Sequence, residues 1–197
     1  MTKRLIDVVV AGSGLVVLMP LCGVIAVAVR LDSPGPVLYR ARRAGRDGQP
    51  FRMYKFRTMH VDRATHGALI TRHGDQRVTR VGRVLRRTKL DEVPQLWNVF
   101  RGDMSLVGPR PEDPHYVTLY SAEQRRVLSV RPGMTSLASV RFRNEERILI
   151  GEDWERAYVG TVMPAKLAFD LDYVERQSLC LDARVLWETA RSLICPW

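Results

Sequence analysis

Residues 8–29 read VVVAGSGLVVLMPLCGVIAVAV, and this run constrains the arrangement of the whole chain. It contains no charged residue and is dominated by Val, Leu, Ile and Ala. As an α-helix it would be about 33 Å long, close to the hydrocarbon thickness of a bilayer. The run is long for a secretory signal peptide and shows no obvious cleavage pattern, and the rest of the chain is too small to surround such a helix. We therefore predict that this helix is inserted in a membrane.

The topology of the helix depends on its flanking charges and on Pro20. Basic residues lie on both sides of the run: Lys3 and Arg4 before it, and Arg30, Arg40, Arg42 and Arg43 after it. Positive charge at both ends gives no orientation under the positive-inside rule, but the conflict disappears if both ends stay cytoplasmic. Pro20 would kink a helix at its middle. We predict a re-entrant helix that breaks near Met19–Pro20 and returns to the same face, with a straight single span as the alternative.

The composition is that of a folded and strongly basic protein. Of the 197 residues, 46% are hydrophobic and 26% charged, and the formal net charge is +10. Such a charge suggests an anionic partner, which can be nucleic acid, an acidic membrane surface or a phosphorylated substrate. Cys22, Cys180 and Cys195 have neither the spacing of a disulfide framework nor that of zinc ligands. This favours a reducing, cytosol-facing location.

Two strands are predicted after the membrane segment. The turn Asp32–Pro36 marks the exit from the bilayer, and Val37–Arg40 and Phe51–Met59 have strand character on either side of the glycine-bearing loop Gly45–Gly48. In the second strand two aromatic residues alternate with two basic ones: Tyr54, Lys55, Phe56 and Arg57. Because a strand has a period of two, one face is aromatic and the other basic. The alternative is an ordinary half-buried strand with a solvated basic face.

Helices are predicted for much of the remaining chain. The polar stretch His60–Asp75 is interpreted as a loop, and Thr79–Thr88 has the pattern of a basic amphipathic helix. Two further helices are expected over residues 163–177 and 181–194. The last one has an apolar stripe that either packs in the core or lies flat on a membrane.

Leu90–Gly102 has the marks of a capped helix that begins with two carboxylates. Asp91 is a good N-cap residue, Glu92 falls in the first turn, Pro94 is tolerated there and Gly102 can end the helix. A carboxylate at a helix N-terminus is held in its ionised, nucleophilic form. Two adjacent carboxylates can also hold a divalent cation against a phosphate. The alternative is that the pair only caps the helix.

Arg110 is the clearest candidate for a phosphate contact. It lies between Pro109 and Pro111, which restrict the backbone around it. A rigidly presented guanidinium suits a diphosphate, because its fork matches phosphate oxygens. A surface arginine in a proline turn is the alternative.

These motifs occur in an order that resembles a known family. After the membrane helix come Ser33-Pro34-Gly35-Pro36, then YKFRTM at residues 54–59, LDEVPQL at 90–96 and GDMSLVGPRP at 102–111. The chain is similar over nearly its whole length to the bacterial sugar transferases of the monotopic phosphoglycosyl transferase superfamily. The last two motifs together are highly specific.

The resemblance implies a fold and a location. We expect an α+β protein: a mostly helical catalytic domain with a small β element, on an N-terminal re-entrant membrane helix and amphipathic interfacial helices. Residues 1–36 would be the membrane helix with its exit turn, and residues 37–197 the catalytic domain on the anionic membrane surface. The expected place is the cytosolic face of the bacterial inner membrane. The chain looks like the minimal catalytic form of the family.

The resemblance also implies a reaction and a set of site residues. Asp91 would attack the β-phosphate of a UDP-sugar and release UMP, and a polyprenyl phosphate would then attack the aspartyl-phosphosugar. Mg²⁺ is expected at Asp91 and Glu92, with Glu92 either a metal ligand or a group that positions the acceptor. Lys55, Arg57, Arg110 and Arg143 are the candidate phosphate contacts, and Asp170 is a further active-site candidate. Such a reaction would begin the assembly of a surface glycan.

Three departures from the family pattern limit the inference. Met19, and not serine, precedes Pro20, and residues 135–140 read TSLASV where many members have TGWAQV. The stretch Glu145–Met163 is longer than in the shortest members. The last two departures leave the donor sugar open. A basic, membrane-anchored binding protein without catalysis is the alternative function, and a nucleic-acid-binding module is disfavoured because it leaves the apolar run unexplained.

Overall fold

The computed structural model describes residues 2–61, 75–143 and 153–194. The predicted loop His60–Asp75, the long stretch Glu145–Met163 and Cys195 therefore lie partly or wholly outside the described residues. The predicted fold class is confirmed: the chain is mostly helical, with two small sheets and a long apolar helix at its N-terminus.

The apolar run forms one uninterrupted helix, α1, over Thr2–Asp32, with Pro20 inside it. Helical structure continues through Met19–Pro20, so the chain does not leave the helix at the predicted break, and the re-entrant course of α1 stays a prediction. Proline removes one backbone hydrogen bond, but ending the helix would leave many more polar groups unpaired in an apolar environment. A continuous helix therefore has a lower free energy than an interrupted one.

One stripe of α1 packs against the rest of the protein along most of its length. The stripe recurs every three or four residues and consists of Ala11, Leu15, Leu18, Cys22, Ile25 and Val29. The other faces are apolar and open, as Val17 at 74% exposure and Leu31 at 82% show. Such a surface needs an apolar surrounding, which accords with the predicted membrane insertion.

The predicted hairpin is confirmed, with different strand limits. Strands β1 (Leu38–Ala44) and β2 (Pro50–Phe56) pair antiparallel around a 3₁₀ turn at Arg46–Gly48. The second strand ends at Phe56 and not at Met59, because the chain turns there towards the C-terminal end of α1. The hairpin places Lys55 next to α3.

Helix α2 spans Arg80–Thr88, as predicted, and Thr79 caps it by accepting a hydrogen bond from the Gly82 N–H at 2.9 Å. Gly82 is required for the packing, because a Cβ there would lie 2.1 Å from the Thr58 carbonyl oxygen. This close approach fixes α2 against the segment that follows β2.

The predicted helix over Leu90–Gly102 consists of two elements. A 3₁₀ turn spans Leu90–Glu92, and helix α3 spans Gln95–Arg101. Pro94 has no N–H and stands at the N-cap of α3, so α-helical bonding begins only after it. The prediction that Asp91 caps this helix is therefore wrong. Gly102 ends α3 with φ of 104°, as its position predicted.

Apolar side chains of α3 and of Val93 before it pack on the inner side of the helix. Val93, Leu96 and Val99 are buried, whereas Phe100 is 41% exposed. Phe100 stacks on Trp97, with 5.9 Å between ring centroids, and it also faces Gly12 of α1. The two aromatic rings thus lie beside α1.

The remaining elements form the far side of the site. Strands β3 (Ser105–Val107) and β4 (Gly133–Thr135) pair in parallel, which the sequence did not predict. The helices that follow are α4 (Pro114–Val117), α5 (Leu137–Arg141), α6 (Trp154–Ala157), α7 (Met163–Arg176) and α8 (Leu179–Ile194). A 3₁₀ stretch spans Gln124–Ser129, and a π turn at Tyr158–Val162 joins α6 to α7. Helices α7 and α8 confirm the two predicted C-terminal helices.

Candidate active site

Asp91 and Glu92 lie next to each other in the 3₁₀ turn between α2 and α3. They are only 6% and 9% exposed, which is rare for carboxylates without strong partners. Lys89 precedes them in the left-handed conformation, with φ of 59°. Few residues with a side chain adopt this conformation. The turn therefore holds the two carboxylates at a fixed, inward-facing position.

Glu92 is clamped by two cations. Arg110 donates from Nη1 to Oε2 at 2.9 Å and from Nη2 to Oε1 at 2.5 Å, and Lys55 donates from Nζ to Oε1 at 2.9 Å. Burial alone would raise the pKa of Glu92, but Arg110 and Lys55 together more than offset it. The pKa of this carboxyl falls well below its usual value. Glu92 is thus a permanently charged anchor for the two cations.

Asp91 is in a different state from its neighbour. Its Oδ1 is buried and has no hydrogen-bond partner among the described residues. Burial raises the pKa of Asp91, and the nearby positive charge of Lys55 only partly offsets this. The prediction that a helix N-terminus favours the ionised form of Asp91 is therefore wrong. Asp91 does not lie at the N-terminus of α3, and burial has the largest effect on its pKa.

Lys55 is placed by β2 so that its ammonium reaches the carboxylates. Burial lowers its pKa, and the charge of Glu92 opposes that effect. Arg86 and Lys89 add positive charge near Asp91, where both act to lower its pKa. Neither was among the sequence-predicted site residues. The basic face of α2 was the signal that could have found Arg86.

Arg110 is anchored from both sides. Besides its two bonds to Glu92, Nη1 donates to the Met134 carbonyl oxygen in β4 at 2.9 Å. The parallel pairing of β3 with β4 brings that carbonyl opposite the proline-flanked segment. Arg110 is thus held in place by tertiary structure as well as by its two prolines.

Asp170 of α7 lies on the other side of Arg110. Its Oδ1 is buried and has no hydrogen-bond partner among the described residues. Burial raises the pKa of Asp170 to about 7, although the nearby Ser136 side chain and Arg110 act to lower it. The residue therefore borders the site beside Arg110. A narrow cleft next to it is lined by Arg110, Glu112, Tyr120, Tyr158, Lys166 and Asp170, among others.

Comparison with known proteins identifies the family. The family model described as bacterial sugar transferase matches residues 1–196. The chain belongs to the bacterial sugar transferase family. Its predicted family and its predicted class, a transferase, are thereby confirmed.

Three relatives of this sugar transferase have names that state a reaction. A UDP-glucose:undecaprenyl-phosphate glucose-1-phosphate transferase of Caulobacter vibrioides is 42% identical over 98% of this chain and 69% of its own length. A protein of the same name from Xanthomonas campestris pv. campestris is 42% identical over 95% of this chain and 38% of its own length. A UDP-N-acetylgalactosamine-undecaprenyl-phosphate N-acetylgalactosaminephosphotransferase of Aeromonas hydrophila is 35% identical over 98% of this chain and 43% of its own length. The chain thus spans about two fifths of the latter two.

Arg57 of the sugar transferase has a structural role in this arrangement. Its guanidinium donates to the carbonyl oxygens of Val29, at 3.3 Å, Ser33, at 2.7 Å, and Pro34, so it caps the C-terminal end of α1. Only 5% of the residue is exposed. The predicted contact with phosphate has no support from this geometry. Arg57 therefore contributes to the structure at the end of α1.

Arg143 follows the end of α5. Its Nη1 is buried and has no hydrogen-bond partner among the described residues. An uncommitted guanidinium nitrogen accords with the prediction that Arg143 contacts an anionic substrate. That contact stays a prediction, because no ligand tests it.

The two carboxylates differ in how well they suit magnesium. Asp91 fits, because its unpartnered Oδ1 is the hard oxygen ligand that Mg²⁺ prefers. Glu92 does not fit, because both of its oxygens already hold Arg110 or Lys55. Within the part of the chain that the structure describes, no three His, Cys, Asp or Glu side chains form a metal cluster. A magnesium ion here would need oxygens from the substrate.

Proposed function

We propose that this protein transfers a sugar 1-phosphate from a UDP-sugar to a polyprenyl phosphate, of the undecaprenyl type, and releases UMP. The observation that carries this proposal is the division of roles between two adjacent buried carboxylates. Glu92 is fixed by Arg110 and Lys55, while Asp91 keeps an oxygen that has no partner among the described residues. The names of the three relatives support the substrates and the reaction.

The first step is a displacement at phosphorus. A carboxylate oxygen of Asp91 attacks the β-phosphorus of the donor and forms an O–P bond, and UMP leaves with the electron pair of the broken P–O bond. In the second step a phosphate oxygen of the acceptor attacks the same phosphorus. The bond to Asp91 breaks and the carboxylate is regenerated. Covalent catalysis in this way divides one displacement between two anions into two steps.

The cations around the carboxylates suit this chemistry. Lys55 and Arg110 reach the dyad directly, and Arg86 and Lys89 add positive charge beside Asp91. They favour the ionised form of Asp91 against the effect of burial, and they balance the charge of a diphosphate. Magnesium, held by Asp91 and by phosphate oxygens of the donor, would neutralise the diphosphate and the departing UMP.

The contacts of α1 support a monotopic location on one face of the membrane. Near the N-terminal end, Asp7 accepts hydrogen bonds from the Ser105 hydroxyl at 2.8 Å and from the Leu106 N–H at 3.1 Å. At the C-terminal end, Asp32 accepts one from the Val81 N–H at 2.9 Å. A straight span would put these ends on opposite faces, where one small domain cannot contact both. We propose that both ends lie on the cytosolic face.

Helix α8 provides a second apolar surface on the same side as the start of α1. Leu179, Leu186 and Leu193 recur every seven residues and are 41–45% exposed, and Trp187 beside them is 71% exposed. Asp182, which borders this leucine stripe and is itself buried, ties α8 to α1, because it accepts a hydrogen bond from the Lys3 ammonium at 2.6 Å. We propose that the exposed side of α8 lies in the lipid headgroup region.

The reaction is tested by UMP release from the purified protein in nanodiscs, with a panel of UDP-sugars, undecaprenyl phosphate and magnesium. We expect release that requires one donor, the lipid acceptor and the metal. Without acceptor, intact mass should show one phosphosugar adduct on the wild type and none on Asp91→Asn. Equal UMP release by Asp91→Asn would exclude Asp91 as the nucleophile. Absence of release with every donor would reject the proposed reaction.

A further inference from the structure

Gln95, the first residue of α3, is a buried amide that has no partner in the described part of the chain. It is 0% exposed, and neither Nε2 nor Oε1 forms a hydrogen bond there. Buried polar side chains in native proteins are nearly always hydrogen-bonded, because an unpaired one lowers the stability of the fold. An amide that is unpaired on both atoms therefore calls for an explanation.

The next polar residue on the same inner side of α3 shows what a structural amide looks like. Asn98 is also 0% exposed, but its Nδ2 donates to the Arg52 carbonyl oxygen at 2.8 Å and its Oδ1 accepts from the Tyr54 N–H at 3.0 Å. Asn98 thus joins α3 to β2. Gln95 makes no such connection, so stabilising the resting fold does not account for it.

Gln95 lies one helical turn beyond the two carboxylates. It follows Glu92 by three residues and Asp91 by four, with Pro94 and the end of the 3₁₀ turn between them. Both oxygens of Glu92 are occupied by Lys55 and Arg110, whereas Asp91 Oδ1 is buried without a partner. Among the described residues, an unpaired donor and an unpaired acceptor therefore lie about one turn apart along the chain, and they are not bonded to each other in this structure.

We propose that Gln95 is a positioning residue for Asp91: its Nε2 donates to the carboxylate oxygen that does not carry phosphorus while the phosphosugar is bound. The inference rests on the proposed function. In the second step the O–P bond to Asp91 breaks and its electron pair returns to the carboxylate, so negative charge grows on the oxygens of Asp91. A hydrogen bond to this carboxylate becomes stronger as the charge grows. Gln95 thus speeds discharge of the intermediate more than its formation.

The test replaces the amide by an apolar group of similar shape, Gln95→Met. We expect this variant to unfold at a temperature a few degrees higher, because it removes two unpaired polar atoms. We expect turnover to fall by about 10-fold to 100-fold, the loss of one charge-assisted hydrogen bond. In single-turnover experiments with acceptor, the phosphosugar adduct should persist longer than in the wild type. A residue that only fills space would change neither turnover nor the lifetime of the adduct.

Gln177→Met is the matched control. Gln177 donates from Nε2 to the Tyr173 hydroxyl at 3.3 Å, so the same substitution removes a bond that exists. It should lower the unfolding temperature slightly and leave turnover unchanged. Gln95→Leu repeats the test with a second apolar side chain, in case the methionine variant does not fold.

The outcomes separate this inference from the proposed function. A more stable Gln95→Met with slow discharge of the adduct supports the role of Gln95. Normal turnover in that variant, or a lower unfolding temperature, overturns the role and leaves the proposed reaction standing. If the wild type releases no UMP from any donor, the proposed reaction fails and the inference fails with it.

Discussion

The guanidinium of Arg110 binds the carboxylate of Glu92 through two hydrogen bonds, Nη1 to Oε2 at 2.9 Å and Nη2 to Oε1 at 2.5 Å. Lys55 shares Oε1 from the other side. Glu92 thus fixes the direction of both cations, and Asp91 next to it keeps a free oxygen. The adjacency of the two carboxylates in the sequence hides this difference, since only the fold decides which of them receives the cations.

Replacing Arg110 tests the importance of its two hydrogen bonds to Glu92. Arg110→Ala leaves the buried Glu92 with Lys55 alone, so we expect a loss of about 3 kcal/mol in the free energy of unfolding. Turnover should fall more in this variant than in Arg110→Lys, which keeps the charge but not the bidentate geometry. UMP release and thermal unfolding of the two variants measure these effects. Equal kinetics in both variants and the wild type would assign Arg110 to structure alone.

The sequence predicts the parts of this protein whose pattern is local. The apolar run of α1, the hairpin and the basic helix α2 each have a period that identifies them, and LDEVPQL at residues 90–96 points to the carboxylates. The family resemblance predicted a phosphate contact for Arg57. It leaves the strand instead and caps α1, a contact between segments far apart in the chain. Strands of three residues, such as β3, carry too short a pattern to predict their parallel pairing with β4.

The pKa of Asp91 is a second property that the local sequence does not predict. Its place after a basic helix and before Pro94 suggested an N-cap, which would favour the ionised form. The direction of its pKa depends on burial against β2 and α3, and burial is set by packing that local sequence does not encode. The division of the site into a clamped Glu92 and an unpartnered Asp91 could not be read from spacing.

Lys89 allows backbone strain to be separated from charge. Its φ of 59° is unfavourable for a residue with a Cβ, so Lys89→Gly should raise the free energy of unfolding by about 1 kcal/mol. Lys89→Ala removes the same charge without relieving the strain, and it serves as the control. Both variants should turn over more slowly than the wild type, because Lys89 lowers the pKa of Asp91. Equal thermal stability of the two variants would contradict the strain argument.

Asp170 predicts a pH dependence of stability. The pKa of Asp170 is about 7 in the folded protein, above its ordinary value, so the folded state binds the proton more tightly than the unfolded state does. Its contribution is therefore favourable at low pH and is lost as the pH rises from about 4 to 7. Asp170→Asn stays neutral at every pH. The unfolding temperature of this variant should therefore rise relative to that of the wild type as the pH increases from about 4 to 7. Parallel curves for the two proteins would show that Asp170 is not protonated in the fold.

Trp187 reports the depth of α8. It is 71% exposed on the apolar side of the helix, whereas Trp154 is 9% exposed inside the protein. In nanodiscs with brominated lipids we expect part of the tryptophan fluorescence to be quenched. In Trp187→Leu, which keeps an apolar side chain, the quenched part should decrease to what Trp97, 47% exposed beside α1, contributes. The same measurement with unbrominated lipids is the control, and unchanged quenching in Trp187→Leu would place α8 away from the lipid.

The two ends of α1 give the last prediction. Asp7 and Asp32 both accept hydrogen bonds from the same folded domain, which supports the proposal that both ends lie on one face of the membrane. Thr2→Cys reports the first end and Arg46→Cys, in the turn of the hairpin, reports the domain. Each is introduced after Cys22, Cys180 and Cys195 have been replaced by serine.

A membrane-impermeant maleimide should label both cysteines in inside-out vesicles and neither in intact spheroplasts. Detergent-solubilised protein, in which both positions are accessible, controls for reactivity. Labelling of Thr2→Cys from the outside, with Arg46→Cys still labelled only from the inside, would mean that α1 spans the bilayer. The contacts of Asp7 would then have to be absent in the membrane, because Ser105 and Leu106 cannot reach across it.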